Sequence, residues 1–282
     1  MTIESGCPAC GARELRPFYA ALTKCDACSH VWADLKVDWE ALQGIYKQSY
    51  FLGEEYSNYK EDRRILEKNF SRRLGRLRQY LTPSHRRLFE IGCAYGFFLA
   101  LAQTSFESVE GIDISEDAVA FAVGELGVRA ACADLLAFDL ADRQFDVVCM
   151  WDTIEHLAAP REYLECIAGR MPRGALIALT TGDISSVTAR IQRERWRLIH
   201  PLSHLQYFTR VSLTALLGRS GFKVRAVEYC GFSRSLRSMV HNLVALRWRR
   251  PGLAGRLSAS VPRRLDVYLN LRDILYVIAE RR

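Results

Sequence analysis

No stretch of this sequence is long and apolar enough to read as a membrane span. The densest run, Ile91 to Ala102, carries two glycines and stops after about a dozen residues, where roughly 20 are needed. Met1 to Gly11 holds neither a basic nor an apolar stretch, so no export signal is visible and a soluble, cytoplasmic protein is expected. Proline and glycine are few, 8 and 18 among 282 residues, which excludes a collagenous or low-complexity chain. Acidic residues are missing altogether from 231 to 265, where eight arginines stand (234, 237, 247, 249, 250, 256, 263 and 264). Outside that segment 31 basic residues face 32 acidic ones, so the net charge of +7 has one address. That argues against a surface built to wrap nucleic acid. The nine cysteines are an odd number, and without an export signal they do not suggest a disulfide framework.

What is present begins with Cys7-Pro-Ala-Cys10 and, fourteen residues on, Cys25-Asp-Ala-Cys28. Two C-x2-C turns at this spacing can converge on one tetrahedral zinc, and four thiolates leave no open position, so a structural Zn²⁺ ribbon is expected over 1–35. His30 is expected to pack beside Trp32 instead of ligating. The other five cysteines stand in apolar surroundings, where buried, inert thiols are expected. Residues 36–82 read as a helical lead-in: aromatic and irregular over 38–60, then an apolar stripe of Leu66, Phe70, Leu74, Leu77 and Leu81, closed by Thr82-Pro83. From Arg87 onward strand and helix alternate. Strands are expected at 87–91, 108–112, 128–131, 145–150, 175–180, 223–229 and 274–280. Ser115 should cap a helix ending at Gly127, and Pro160 should open another. This is an α/β pattern, a Rossmann-like doubly wound sheet over 83–230 and 268–282. A basic helical cap, 231–267, interrupts it before the last strand.

In such sheets ligands bind beyond the carboxyl ends of the strands. The loop after the first strand is Glu90-x-Gly92-x-x-x-Gly96, not the G-x-G-x-x-G that seats a pyrophosphate. Two glycines preceded by an acid suit a cofactor with an amino-acid cationic end. Asp113, ending the second strand, is placed for ribose hydroxyls, and Asp134, after the third, for an adenine amino group.

These residues carry a resemblance. Residues 87–230 resemble the class I S-adenosylmethionine-dependent methyltransferases, through Leu88-Phe-Glu-Ile-Gly-Cys-Ala-Tyr-Gly96, Gly111-Ile-Asp-Ile-Ser115 and the segment Phe145 to Leu157. The last of these, with His204-Leu-Gln-Tyr-Phe-Thr209 and Ser220-Gly-Phe-Lys-Val224, is similar to the small-molecule branch that includes ubiquinone-type O-methyltransferases and sugar methyltransferases. The resemblance implies a seven-stranded sheet whose last strand inserts antiparallel. It also implies an S-adenosyl-L-methionine site built from Glu90, Gly92, Cys93, Tyr95, Gly96, Asp113, Ile114, Asp134, Leu135 and Trp151. Glu155, His156, His200 and His204 are the candidates for acid–base work, with the early tyrosines behind them. Asp152, Glu155 and His156 align with a Glu-x-x-Glu-His triplet that resembles a Mg²⁺ site in ubiquinone O-methyltransferases, with Asp replacing the first acid; the alternative is that Glu155-His156 is a shared fold element, with His156 shaping the pocket and no metal bound. The expected reaction is methyl transfer to a small, anionic acceptor such as a sugar, glycolipid or natural product. A ribosomal-RNA methyltransferase and a non-catalytic protein that keeps the cofactor fold are the alternatives. Leu236, Met239, Val240, Leu243 and Val244, flanked by arginines, suggest peripheral membrane contact through 231–267. Removing zinc is expected to unfold 1–35 and to leave cofactor binding largely intact.

Overall fold

Side-chain alternation in one buried strand sets the layering of the molecule. In Val147–Trp151, Val147, Cys149 and Trp151 join the core on one side of the central sheet, and Val148 and Met150 join the core on the other. A strand apolar at every position belongs between two helical layers. This computed structural model describes residues 6–19, 22–33, 62–141, 143–242, 257–262 and 264–282. The aromatic stretch 38–60, with its tyrosines, and Leu243, Val244, Arg247, Arg249, Arg250, Arg256 and Arg263 lie outside the described residues.

Three short strands come first: β1 (Leu15–Phe18), β2 (Leu22–Cys25) and β3 (Val31–Ala33). Helix α1 (Arg63–Leu77) leads into β4 (Arg87–Ile91), α2 (Phe97–Ala102), β5 (Ser108–Asp113), α3 (Glu116–Leu126) and β6 (Arg129–Cys132). Then follow β7 (Val147–Trp151), α4 (Pro160–Ala168), β8 (Leu176–Gly182), α5 (Val187–Gln192), β9 (Gln206–Tyr207), α6 (Arg210–Arg219) and β10 (Phe222–Tyr229). The chain ends with β11 (Phe232–Ser235), α7 (Leu236–Asn242), β12 (Asp266–Leu269) and β13 (Ile274–Arg281).

The central sheet has seven strands in the order β10-β13-β8-β7-β4-β5-β6. The inner pairs are parallel, while β13 runs antiparallel to both β8 and β10, as the resemblance implied. On one face lie α1, α2 and α3, contributing Phe70, Leu74, Leu77, Phe98, Leu99 and Ala122; on the other lie α4 and α6, contributing Leu164, Ile167, Leu213 and Leu216. The local signals act where the sequence puts them. The Ser115 hydroxyl accepts from the amide of Ala118, and Gly127 closes α3 at φ 62°. Pro160 stands in the first turn of α4.

The amino-terminal strands do not stand apart from this body. They form a four-stranded sheet, β1-β2-β3-β9, whose last member belongs to the loop before α6. Val31 pairs with Tyr207 and Trp32 with Gln206. Cys7, Cys25 and Cys28 share a core with Phe208 and Leu213. His30 is fully buried, stacks on Trp32 at 5.8 Å and bonds through Nε2 to Gln206 Oε1 at 2.9 Å. Of the scattered cysteines, Cys93 and Cys149 are buried and Cys166 and Cys230 half-buried, while Cys132 is exposed and departs from the usual burial. No helix among the described residues is long and apolar enough to cross a membrane.

Candidate active site

Beyond the carboxyl ends of β4, β5 and β7 opens a cavity of about 510 Å³, within the range of small-molecule sites. Its acidic end is built by three strand-to-helix turns. Glu90 is buried in β4, and its Oε2 meets no hydrogen-bonding partner in the protein. Burial pushes its carboxyl well above the ordinary value, Asp113 beside it adds to that, and Arg73 offsets only part. Trp151 at the end of β7 likewise keeps a buried indole Nε1 without a protein partner. An orphaned carboxylate oxygen fits a cationic donor and an orphaned indole N–H fits an acceptor, so the pair suits a ligand that carries both.

Asp113 Oδ2 accepts from the amide of Ala94 at 2.7 Å and Oδ1 from that of Ser115 at 2.9 Å, fixing the carboxylate across two loops. Burial raises its pKa, and those amides pull the other way. Asp134 accepts from the amide of Leu136 at 2.8 Å and from the Tyr163 hydroxyl. Of the residues expected to hold the cofactor, Glu90, Gly92, Cys93, Asp113, Ile114, Asp134, Leu135 and Trp151 line the cavity. Tyr95 does not; it is buried, edge-to-face on Phe121. Nor does Gly96, and the glycine requirement has a different cause here. At Gly96 (φ 73°) a Cβ would stand 2.8 Å from the Ala122 Cβ, so the glycine lets the loop close on α3. At Gly92 (φ 78°) a Cβ would stand 2.5 Å from Thr153 Oγ1. These groups could hold S-adenosylmethionine, with the Glu90 carboxylate toward its ammonium, Asp113 toward ribose and Asp134 toward adenine.

The cavity wall also carries Arg73 of α1, His156, Arg197, His204, Phe232 and Arg234, together with the carboxylates of Asp152 and Glu155. Asp152, at a positive φ of 53°, meets Arg73 at 2.6 Å, and that ion pair holds its carboxyl below the usual range against the pull of burial. Asp152 therefore turns to α1 and is not among the groups that converge with Glu155 and His156, which leaves the possible Mg²⁺ triplet without support. The groups that converge are Glu155, His156 and His204, whose donor atoms lie within 4.8 Å of one another. Burial lowers the His156 pKa, partly countered by its bond to the Ser203 carbonyl. His200 is exposed and outside the lining, its Nε2 2.7 Å from the Arg197 carbonyl. Of the arginines at 190, 193, 195 and 197, only Arg197 reaches the cavity, paired with buried Asp273 at 3.1 Å.

Sequence reasoning missed Arg73, Asn69 and Tyr163. Arg73 flanks the apolar stripe of α1 next to Leu74, the one signal that could have marked it. Its guanidinium also lies 5.5 Å from the Trp151 ring. The described part of the basic insertion reaches the same place. Ser233 exchanges hydrogen bonds with Asn69 at 2.6 and 3.2 Å, and Phe232, Arg234 and Met239 line the cavity.

Away from this cavity, Cys7 Sγ lies 3.5 Å from Cys28 Sγ and Cys10 Sγ 3.6 Å from Cys25 Sγ. Thiolates about 2.3 Å from a tetrahedral zinc stand about 3.8 Å apart, so the cluster fits one Zn²⁺ in a closed, structural site. The amides of Gly11 and Ser29 bond back to the Cys7 and Cys25 carbonyls at 2.8 and 2.9 Å, closing the turns that aim the sulfurs.

Comparison with known proteins follows the same lines. A family model described as a methyltransferase domain matches residues 59–227. No curated protein matches the sequence. The structure is similar to that of magnesium protoporphyrin IX methyltransferase from Synechocystis with bound SAH, at 15% identity and TM-score 0.55, covering 87% of this chain and 100% of that one. It is also similar to an S-adenosylmethionine-dependent methyltransferase from Archaeoglobus fulgidus, at 22% identity and TM-score 0.53, covering 86% and 100%. At these identities the likeness is one of fold.

Proposed function

The chain belongs to the methyltransferase-domain family as a class I S-adenosylmethionine-dependent enzyme, and on that premise we propose that it methylates a small anionic acceptor of the sugar, glycolipid or natural-product kind. The observation that carries this reading is one cavity lined both by the strand-end acids Glu90, Asp113 and Asp134 and by Arg197, Arg234, Phe232 and the imidazoles of His156 and His204. Bound S-adenosylmethionine supplies a methyl group activated on a sulfonium sulfur. The protein's task is alignment, and orientation alone is worth several kcal/mol in such a displacement. Glu90 and Asp113 hold the cofactor, with Trp151 walling the space between the two ends. Arg197, Arg234 and Phe232 receive the acceptor, and His156 or His204 takes its proton where one must leave.

In this reading the insertion 231–267 is the roof of the acceptor end. Asn69 and Arg72 of α1 clamp Ser233, and Arg64 and Lys68 pair with Asp266 at the insertion's other limb. A cavity of this size suits a small acceptor better than an RNA strand. The test is a panel of acceptors incubated with methyl-labelled cofactor, followed by mass spectrometry of the products. Label in an anionic small molecule supports the reading; label only in RNA, or none with any acceptor, overturns it.

A further inference from the structure

Two loops far apart in sequence bring two imidazoles and one carboxylate to a single point on the cavity wall. Glu155 and His156 stand in the short turn after β7, and His204 in the loop before β9. Their donor atoms lie within 4.8 Å of one another, and the two rings meet edge-to-face at 4.7 Å. Glu155 and His204 are 5% and 4% exposed, and all three residues line the cavity.

The tautomers are set by the backbone. His156 Nδ1 donates to the Ser203 carbonyl at 2.8 Å, and His204 Nδ1 donates to the Leu198 carbonyl at 2.9 Å. A carbonyl can only accept, so in each neutral ring the proton is on Nδ1 and the lone pair on Nε2. Metal-binding histidines are held in the same way, through the ring nitrogen that does not ligate. The two loops are also tied together. The amide of Leu205 donates to the Glu155 carbonyl at 2.8 Å, and Gln206 Nε2 donates to the Leu157 carbonyl at 3.1 Å.

From this convergence we infer that Glu155, His156 and His204 form a binding site for a divalent transition-metal ion, with open positions toward the acceptor. Two nitrogens and one carboxylate favour Zn²⁺, Mn²⁺, Fe²⁺ or Co²⁺ over Mg²⁺, which prefers oxygen and water. Donors no more than 4.8 Å apart lie at most about 2.8 Å from a common centre, so shifts of under about an ångström bring them to about 2.1 Å from one ion. This site is distinct from the four-cysteine cluster, which offers sulfur alone. It deepens the function proposed above by replacing the proton-accepting role of His156 and His204 with that of ligands to a cation that an oxygen-bearing acceptor can bind.

The experiment counts ions in the full chain after loading with Zn²⁺, Mn²⁺ or Co²⁺ and removal of excess, with cofactor affinity measured alongside by calorimetry. About two ions per chain are expected with Zn²⁺, falling to about one in Glu155→Gln and in His204→Ala while cofactor affinity stays within about twofold. Cys7→Ser/Cys28→Ser should lose the other ion. A wild-type chain that never holds more than the cysteine-bound ion overturns the proposal. So do variants at 155 and 204 that bind cofactor normally and keep both ions. The count is independent of turnover, so a failure of the acceptor assignment shows in the labelling screen and not here.

Discussion

A buried carboxylate with no protein partner, next to a second one, is held there at a cost that a cation would offset. Glu90 is in this position, pushed upward by burial and by Asp113. A sulfonium cofactor with an ammonium group favours the ionised form, so its binding should release protons from Glu90. The sign is fixed by the direction of the shift: the free enzyme holds the proton at pH values where an ordinary carboxyl has lost it, and cofactor affinity rises with pH over that interval. Calorimetry in buffers of different ionisation enthalpy reads the release directly, and Glu90→Gln should abolish it while weakening binding. A release that persists in the variant would place the titrating group elsewhere. Asp113→Ala should weaken cofactor binding by about 30- to 1000-fold, because it removes charge-assisted bonds and frees the Ala94 and Ser115 amides. Unchanged affinity there would sink the ribose assignment. Both acids were legible in the sequence, because each ends a strand of a strongly periodic pattern.

Among the strands, the clasp at the start of β4 and β7 is the one most open to measurement. Asp146 Oδ2 accepts from the amides of Arg86 and Arg87 at 3.0 and 2.9 Å, and the Arg87 guanidinium reaches both oxygens at 3.0 and 2.7 Å. Burial raises the Asp146 pKa, but the guanidinium and the two amides outweigh it, and the net shift is downward. Its contribution is therefore complete above the unfolded-state value near 3.9 and is lost as pH falls through the lower folded value. Asp146→Asn should cost about 2–3 kcal/mol at pH 7, or about 4–12 °C in Tm. The gap between wild type and variant should close as pH falls below about 4. Thermal unfolding at a series of pH values checks this, and a gap that ignores pH would refute it. No periodicity marks this clasp, since its parts come from strands that neighbour each other only in the folded sheet.

The amino-terminal ribbon was expected to be a module that could unfold by itself. Its pairing through β3 and β9 favours unfolding together with the main body instead. The Thr209 hydroxyl bonds to the Cys28 carbonyl at 3.3 Å, and Arg219 reaches the Cys10 carbonyl at 2.6 Å. Zinc removal, by chelation or through Cys7→Ser/Cys28→Ser, should therefore lower the melting of the whole chain by about 10 °C or more in one cooperative transition. Scanning calorimetry decides between this and a modular ribbon, which would leave the main endotherm where it was. Metal loss should also disturb the acceptor end more than the cofactor end, because Gln206 joins His30 of the ribbon to the loop that follows Glu155 and His156.

The order of elements, the caps at Ser115 and Gly127, the acids at the strand ends and the paired cysteine turns are all properties of short stretches. Hydrogen-bonding and burial patterns of a few residues write them directly into composition and spacing, so they could be read along the chain. The partners could not. Nothing near Asp152 announces that Arg73, one turn before the end of a distant helix, will take its carboxylate. Nor does the pair His200 and His204 tell which of them a turn will bury and which it will leave in water. The site where Glu155, His156 and His204 meet depends on two loops separated by α4, β8 and α5, and contacts across such distances leave no period in the sequence. They follow from sheet order and packing, where the energy of an arrangement depends on every neighbour at once.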